Sequence, residues 1–179
     1  MKVVPEMVSK KWGVLLDLDQ TLVITASIEP LRRARAWLKV YKSFGETALP
    51  PETAKFIEKV SNIAKMGVVT TSPRPYAERL LAHHRLQLPV LVAYHDVTQR
   101  KPNPEPLLKA AARLELQPAR CIHVGDQIAD IEAAIRAGAI AVALSWDGFL
   151  SKAEVSGNNA PFCANWDDVY EVITNIVAG

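Results

Sequence analysis

No apolar run in this chain approaches the roughly 20 residues needed to span a bilayer, which argues against a membrane protein. The N-terminal stretch MKVVPEMVSKKWG also lacks the long apolar segment of a secretory signal. Cysteine is scarce: Cys121 and Cys163 lie far apart, with no CxxC spacing and apolar neighbours. They are expected to be reduced, buried small hydrophobes, because a structural zinc site would need more ligands than they offer. Charge of one sign is lacking too. A net charge of +2 creates no whole-molecule field for nucleic acid or membrane surfaces. There are no repeats, no low-complexity tracts and no Gly/Ser linker. What remains is 179 residues, 49% apolar and 22% charged, the balance of one cytoplasmic globular domain with a sizeable core.

Within it, short apolar runs recur at Gly13–Leu18, Gly67–Thr71, Pro89–Ala93, Arg120–Val124 and Ala139–Leu144, with a weaker sixth at Pro161–Ala164. None shows the polar alternation of a half-exposed strand, so each reads as a strand buried on both faces. Between them lie segments of helical periodicity at Pro51–Lys65, Pro75–His84, Pro104–Leu114, Ile128–Ala137 and Asp167–Val177. Pro51, Pro75 and Pro104 stand near helix starts, and Gly67 and Gly138 stand where C-terminal caps belong. Alternating strand and helix predict an α/β fold: a three-layer, Rossmann-like parallel sheet with right-handed crossovers.

The stretch from Leu22 to Pro50 breaks this rhythm, being too long for a plain connection. Glu29–Ser43 inside it reads as one amphipathic helix, with Leu31, Ala34, Trp37, Leu38 and Tyr41 on an apolar face. Arg32, Arg35, Lys39 and Lys42 gather beside that face, with Arg33 apart. The basic face could attract a phosphorylated substrate or simply be solvated.

Ligands of open α/β sheets bind at the carboxyl ends of the strands, near the point where strand order reverses. The residues following the strands therefore form one set. They are Asp17, Asp19 and Thr21; then Thr70, Thr71, Ser72 and Arg74; then Lys101; then Gly125, Asp126 and Asp130. Clustered carboxylates repel one another unless a hard cation neutralises them, and Mg2+ prefers oxygen ligands. An aspartate can attack phosphorus, given a cation and a lysine to reduce anionic repulsion, and a second carboxyl can supply the leaving group's proton.

DLDQT at 17–21, VVTTSPR at 68–74, KPNP at 101–104 and VGDQIAD at 124–130 resemble the four ordered motifs of the haloacid dehalogenase superfamily. The similarity runs from about Trp12 to the last helix and looks closest to the phosphoglycolate-phosphatase-like branch. It implies a Mg2+-dependent phosphatase in which Asp17 is the nucleophile that becomes phosphorylated. Asp19 would be the general acid/base, with its backbone carbonyl on the metal. Thr70 would supply the second motif's hydroxyl and Lys101 the phosphate-facing ammonium. Asp126 would ligate the metal directly, with Asp130 behind it or acting through water. Leu18, Thr71 and Arg74 are further candidates for phosphate or substrate contact. An aspartate at position 19 implies phosphoryl transfer, since a halide leaving group needs no proton. A small phosphorylated metabolite is the implied partner, and a larger phosphorylated substrate fits a short cap.

Two departures from the family pattern stand out. Gln20 occupies a position where the family usually has glycine. At negative φ its side chain could touch substrate, whereas at positive φ it costs on the order of a kcal/mol. The insertion at 22–50 is short for the mobile cap that the resemblance implies, and so predicts a reduced cap over a more open cleft.

Other residues admit plainer readings. Adjacent His83 and His84 point apart on a helix and suit a surface or helix-end role. His123 is expected to pack and hydrogen-bond within its strand. His95 and Asp96 could line the cleft rim or be loop polarity. Arg74 could bind phosphate or cap its helix, Asp126 could be a helix N-cap, and Asp17 and Asp19 could be strand-end charges. Trp146, Asp147 and Gly148 follow the fifth strand, where Trp146 is expected to pack. Beside a phosphatase stand two alternatives. One is a phosphomutase or phosphonate-cleaving enzyme, the latter needing a Schiff-base lysine such as Lys39 or Lys42. The other is a protein that binds phosphate without turnover.

Overall fold

The five strong apolar runs become five buried strands of one parallel sheet, and the weaker sixth becomes its edge. The computed structural model describes residues 10–146, 148 and 150–179; Asp147 and most of the N-terminal stretch fall outside them. The strands are β1 (Gly13–Leu16), β2 (Lys65–Val69), β3 (Val90–Val92), β4 (Cys121–Gly125), β5 (Ile140–Leu144) and β6 (Phe162–Cys163). They run in the order β3-β2-β1-β4-β5-β6, all parallel.

The helices are α1 (Glu29–Arg33), α2 (Trp37–Lys42), α3 (Thr53–Ile63), α4 (Arg74–His83), α5 (Glu105–Arg113), α6 (Ile128–Ala137), α7 (Lys152–Ser156) and α8 (Trp166–Ala178). Successive side chains of a strand point to opposite faces, so the sheet divides the core in two. Val14, Leu16, Val68, Val124 and Leu144 face α3, α4, α8 and the insertion. Leu15, Val69, Val92, Ala141 and Ala143 face α5 and α6. Burial on both faces is why these strands read as unbroken apolar runs.

Trp166, at the start of α8, ties the first layer together. Its ring stacks on Phe56 of α3 at 4.2 Å between centroids, and its Nε1 donates to Thr53 Oγ1 at 2.8 Å. Trp146 meets Trp166 edge-on and donates to the Thr21 carbonyl at 3.0 Å, the packing role expected of it.

Three expectations need correction. Glu29–Ser43 is two short helices, α1 and α2, because Arg35 turns the chain with a φ of 53°. The break shifts the helical register. Trp37 and Tyr41 pack on the core, Val40 is buried, and Leu38 is left 79% exposed. Nothing in RRARAW announces the turn, since it contains neither glycine nor proline. Gly67 is not a helix cap. It lies inside β2, where an added Cβ would stand 3.0 Å from that of Val90. Helix α3 ends earlier, and Ala64 leads in extended conformation straight into the strand. Pro51 precedes the true start of α3, whose N-cap is Glu52 at a φ of 64°. Gly138 does cap α6, at a φ of 75°. Cys121 and Cys163 are buried and unpaired. Among the described residues no helix is long and apolar enough to cross a membrane.

Replacing Trp166 with alanine removes the stack and the indole's hydrogen bond to Thr53, whose hydroxyl keeps only the Pro50 carbonyl. It is expected to cost about 3–5 kcal/mol, read as a lower midpoint in urea unfolding. An unchanged midpoint would contradict this account of α8 docking.

Candidate active site

Strand order reverses between β1 and β4, and the register there fixes the site. Leu16 pairs with both Val68 and Val124, so the residues that follow β1, β2 and β4 emerge at one level. The Asp17 N–H donates to the Val124 carbonyl at 2.9 Å, and the Thr70 N–H to that of Val92 at 2.9 Å. Asp17, Asp126 and Asp130 each bring a carboxylate oxygen within 4.8 Å of the others.

Lys101 arrives from the loop between β3 and α5. Its ammonium donates to Asp17 Oδ1 at 2.7 Å, to Asp130 Oδ1 at 2.5 Å and to the Val69 carbonyl at 3.0 Å. Its side chain is 4% exposed, those of Asp17 and Asp130 9% and 3%. Asp130 sits in the first turn of α6, where its other oxygen accepts the Gln127 N–H at 3.1 Å. His123 lies between the Leu15 carbonyl, 3.1 Å from Nδ1, and Asp130, 3.3 Å from Nε2. It packs and hydrogen-bonds in β4 as expected, and it also braces Asp130. Gln127, not Asp126, is the N-cap of α6. That leaves Asp126 turned to the cleft, where it accepts the Thr21 hydroxyl at 3.0 Å.

One ammonium cannot neutralise this many carboxylates. Burial pushes the Asp17 carboxyl up to about 8, with Asp130 and Asp126 adding to the rise and Lys101 opposing it. Burial and Asp130 together raise Asp126 to about 6. Burial raises Asp130 as well, but the Lys101 charge and the hydrogen bond with His123 outweigh it and hold that carboxyl well below the usual range. The carboxyls left without a full countercharge are Asp17 and Asp126, which line the cleft and hold their protons more tightly than free carboxyls do. An all-oxygen donor set with unbalanced negative charge fits a hard divalent cation.

Asp19 is held by a different set of groups. Its Oδ1 accepts from Thr25 at 2.9 Å and from the Tyr76 hydroxyl at 2.6 Å; its Oδ2 accepts from Ser72 at 2.6 Å and from Arg32 at 2.9 Å. Arg32 also lies over the Tyr76 ring, 4.7 Å from its centroid. Thr25 and Arg32 belong to the insertion, so the segment after β1 reaches back to orient the second aspartate. Reading Arg32 as part of one basic face missed this role. The only available signal was its place in the first short helix after DLDQT.

The Thr70 hydroxyl accepts the Ser72 N–H at 3.0 Å, which leaves its own proton free to donate into the cleft. Gln20 has a φ of 61°, the strained alternative, and its side-chain oxygen accepts the Thr25 N–H at 2.9 Å. That hydrogen bond offsets a strain of about 1 kcal/mol and directs the amide into the insertion. With Arg32, Thr71 and Asp126, these residues line a cleft of about 480 Å3.

Other candidates stand apart. Arg74 is engaged by Glu78 at 3.0 Å, the Leu91 carbonyl at 3.0 Å and Asp96, at the β3 edge of the sheet and outside this cleft. His84 bonds Thr47 at 2.7 Å, and its ring meets that of His83 edge-on. Lys39 and Lys42 are exposed.

A profile of the haloacid dehalogenase-like hydrolases matches residues 18–138. It begins one residue after Asp17, whose place in the site rests on geometry. An N-acetylmuramic acid 6-phosphate phosphatase of Pseudomonas aeruginosa is 34% identical over 139 residues, 74% of this chain and 57% of its own. A phosphoglycolate phosphatase of Salmonella choleraesuis is 39% identical over 83 residues, 45% of this chain and 33% of its own. The chain thus spans little more than half the length of the first and a third of the second. In structure it is similar to a hydrolase from Pseudomonas syringae, with a TM-score of 0.77 at 18% identity, over 92% of this chain and 99% of that one.

Two outcomes follow from the geometry. A Cβ on Gly125 would overlap the Asp130 carboxyl. Gly125→Ala is therefore expected to destabilise by about 1–3 kcal/mol, seen as a lower melting temperature; an unchanged one would refute the tight fit. The raised Asp17 carboxyl, with a folded value near 8 against 3.8 for the free group, favours folding at low pH. That contribution is complete below 3.8 and is lost as pH rises through 8. A cation must displace this proton, so Mg2+ affinity by calorimetry should rise between pH 6 and pH 8. The rise is up to about tenfold per unit for one displaced proton, and a flat profile would rule this out.

Proposed function

Since the chain belongs to the haloacid dehalogenase-like hydrolase family, we propose that it hydrolyses a phosphate monoester through an aspartyl-phosphate on Asp17. The observation that carries this reading is the buried Asp17–Lys101–Asp130 chain with Asp126 beside it and Asp19 two residues beyond the nucleophile.

In this scheme Asp17 attacks phosphorus, and the Lys101 ammonium, 2.7 Å from it, offsets charge on the phosphoryl oxygens. Thr70 donates its hydroxyl to one of those oxygens. Leu18 and Thr71, which flank the two strand ends, contribute backbone N–H groups. One of the four donors on Asp19 gives way to substrate, and the protonated carboxyl then passes its proton to the leaving oxygen and, as the carboxylate, takes one back from the water that cleaves the acyl phosphate. Burial and the adjacent Asp19 push the Tyr76 phenol upward, so Tyr76 stays a hydrogen-bond donor and holds Asp19 in place. Mg2+ would be held by Asp17, Asp126 and the Asp19 carbonyl, with Asp130 behind. When bound it would supply charge neutralisation between nucleophile and phosphate.

The insertion at 22–50 acts as a reduced cap within one hydrolase domain, and a small phosphorylated substrate suits the names of the two relatives. Two unpaired thiols suit a reducing, cytoplasmic setting. Exposed Lys39 and Lys42 weigh against phosphonate cleavage, because a Schiff-base lysine needs a desolvated amine.

The purified protein should hydrolyse p-nitrophenyl phosphate only with Mg2+, and Asp17→Asn should lower kcat by roughly a thousandfold or more. Turnover by that variant, or with chelator present, would refute the scheme. Mg2+-dependent phosphate binding with no turnover of any ester would instead identify a binding protein.

A further inference from the structure

The helix break at Arg35 creates a second concavity beside the carboxylate cleft. It measures about 630 Å3 and shares Arg32 and Thr71 with that cleft. Its own walls are Arg33, Arg35, Trp37, Tyr41, Tyr94 and His95, and among the described residues no acidic side chain lines it. We propose that this groove is the leaving-group subsite, selecting phosphate esters whose leaving group carries a ring and a second anionic group. The proposal rests on the phosphatase reading and specifies its substrate class.

Three observations converge on it. The first is unspent positive charge. Arg32 is committed to Asp19 and Ser72, but Arg35 makes no side-chain hydrogen bond or ion pair among the described residues. Arg33 reaches only Glu29, at 3.7 Å, with its side chain 81% exposed. Arginine forks match carboxylate and phosphate geometry and stack on flat rings. The second is the aromatic lining. Trp37 and Tyr41 are roughly parallel, 26° between planes and 6.5 Å between centroids, and Tyr94 and His95, which follow β3, line the same groove. Such walls suit a ring better than an alkyl chain. The third is backbone strain. Arg35 holds a φ of 53° with no glycine to ease it, in the segment that carries Arg33 and Arg35 to the groove.

Charge gives the arrangement its sense. The reaction centre is acidic, so an ester with a second anion would be repelled there unless cations outside the centre compensate. Lys39 and Lys42, on α2, do not line the groove, whereas Arg33 does. The arginines sort by the turn at Arg35, not by one helical face.

The decisive experiment compares phenyl phosphate with 4-carboxyphenyl phosphate, which differ by one carboxylate. It uses wild type and the exposed pair Arg33→Gln with Arg35→Gln, all with Mg2+. In the double variant kcat/KM for the carboxylated ester should fall about fivefold, mainly through KM, and that for phenyl phosphate by less than about twofold. Equal losses for both esters, or loss for neither, would overturn the subsite. Binding of benzylphosphonate and 4-carboxybenzylphosphonate by calorimetry separates the subsite from the chemistry. A carboxylate preference that the double variant abolishes supports the groove even if wild type turns over neither ester, in which case only the phosphatase reading fails. Turnover of both esters without preference leaves the phosphatase and removes the subsite, and so does the absence of phosphonate discrimination.

Discussion

A buried ammonium shared by two carboxylates organises the active site. Lys101 spans Asp17 and Asp130 and hydrogen-bonds the end of β2 through the Val69 carbonyl. It thereby joins β1, β2 and α6 at the point where the sheet's strand order reverses. Charges taken out of water persist only when paired and hydrogen-bonded, and here the pairing is almost complete around Asp130. That residue receives Lys101, His123 and a backbone N–H, and stays ionised. Asp17 receives only the lysine's remaining share. Asp17 is therefore the carboxyl at the cleft wall that holds its proton most tightly.

The same constraint explains Gly125. Asp130 must fold back against β4 to reach Lys101, and a side chain at position 125 would occupy that space. It also explains why Asp126 is free: the N-cap of α6 falls on Gln127, with Asp130 closing it, so Asp126 need not serve the helix.

Asp19 belongs to a second system, anchored in the insertion. Thr25, Arg32, Ser72 and Tyr76 fill both of its oxygens, and Gln20 holds the first turn of the insertion by the Thr25 N–H. Whatever moves the insertion moves the hydrogen bonds of Asp19. The break at Arg35 ties this system to the outer groove, since the two short helices place Arg32 on Asp19 and leave Arg33 and Arg35 facing outward. In the proposed scheme, proton delivery and leaving-group recognition would therefore share one short segment.

The alternation of buried strands with helices, the placement of Asp17, Thr70, Lys101 and Asp126 after strand ends, and the packing role of His123 could all be read from the chain. Each depends on local pattern: burial on both faces makes an unbroken apolar run, and parallel strands deliver their C-terminal residues to one edge. Other features rest on contacts between distant residues and had no local signal. Arg32 is drawn to Asp19 by a helix break that RRARAW does not announce. Gln20 accepts a positive φ because Thr25 supplies a partner for its amide. Arg74 turns to Asp96 and Glu78 because β3 ends beside it. Gly67 serves close strand packing where its position after a helix suggested a cap. The sequence by itself determined the sheet and the set of groups at its edge, because period and spacing are properties of the chain. Which carboxylate keeps its proton, and which arginines face the cleft, were decided only by the tertiary structure, because charge balance and burial depend on what lies across the cleft.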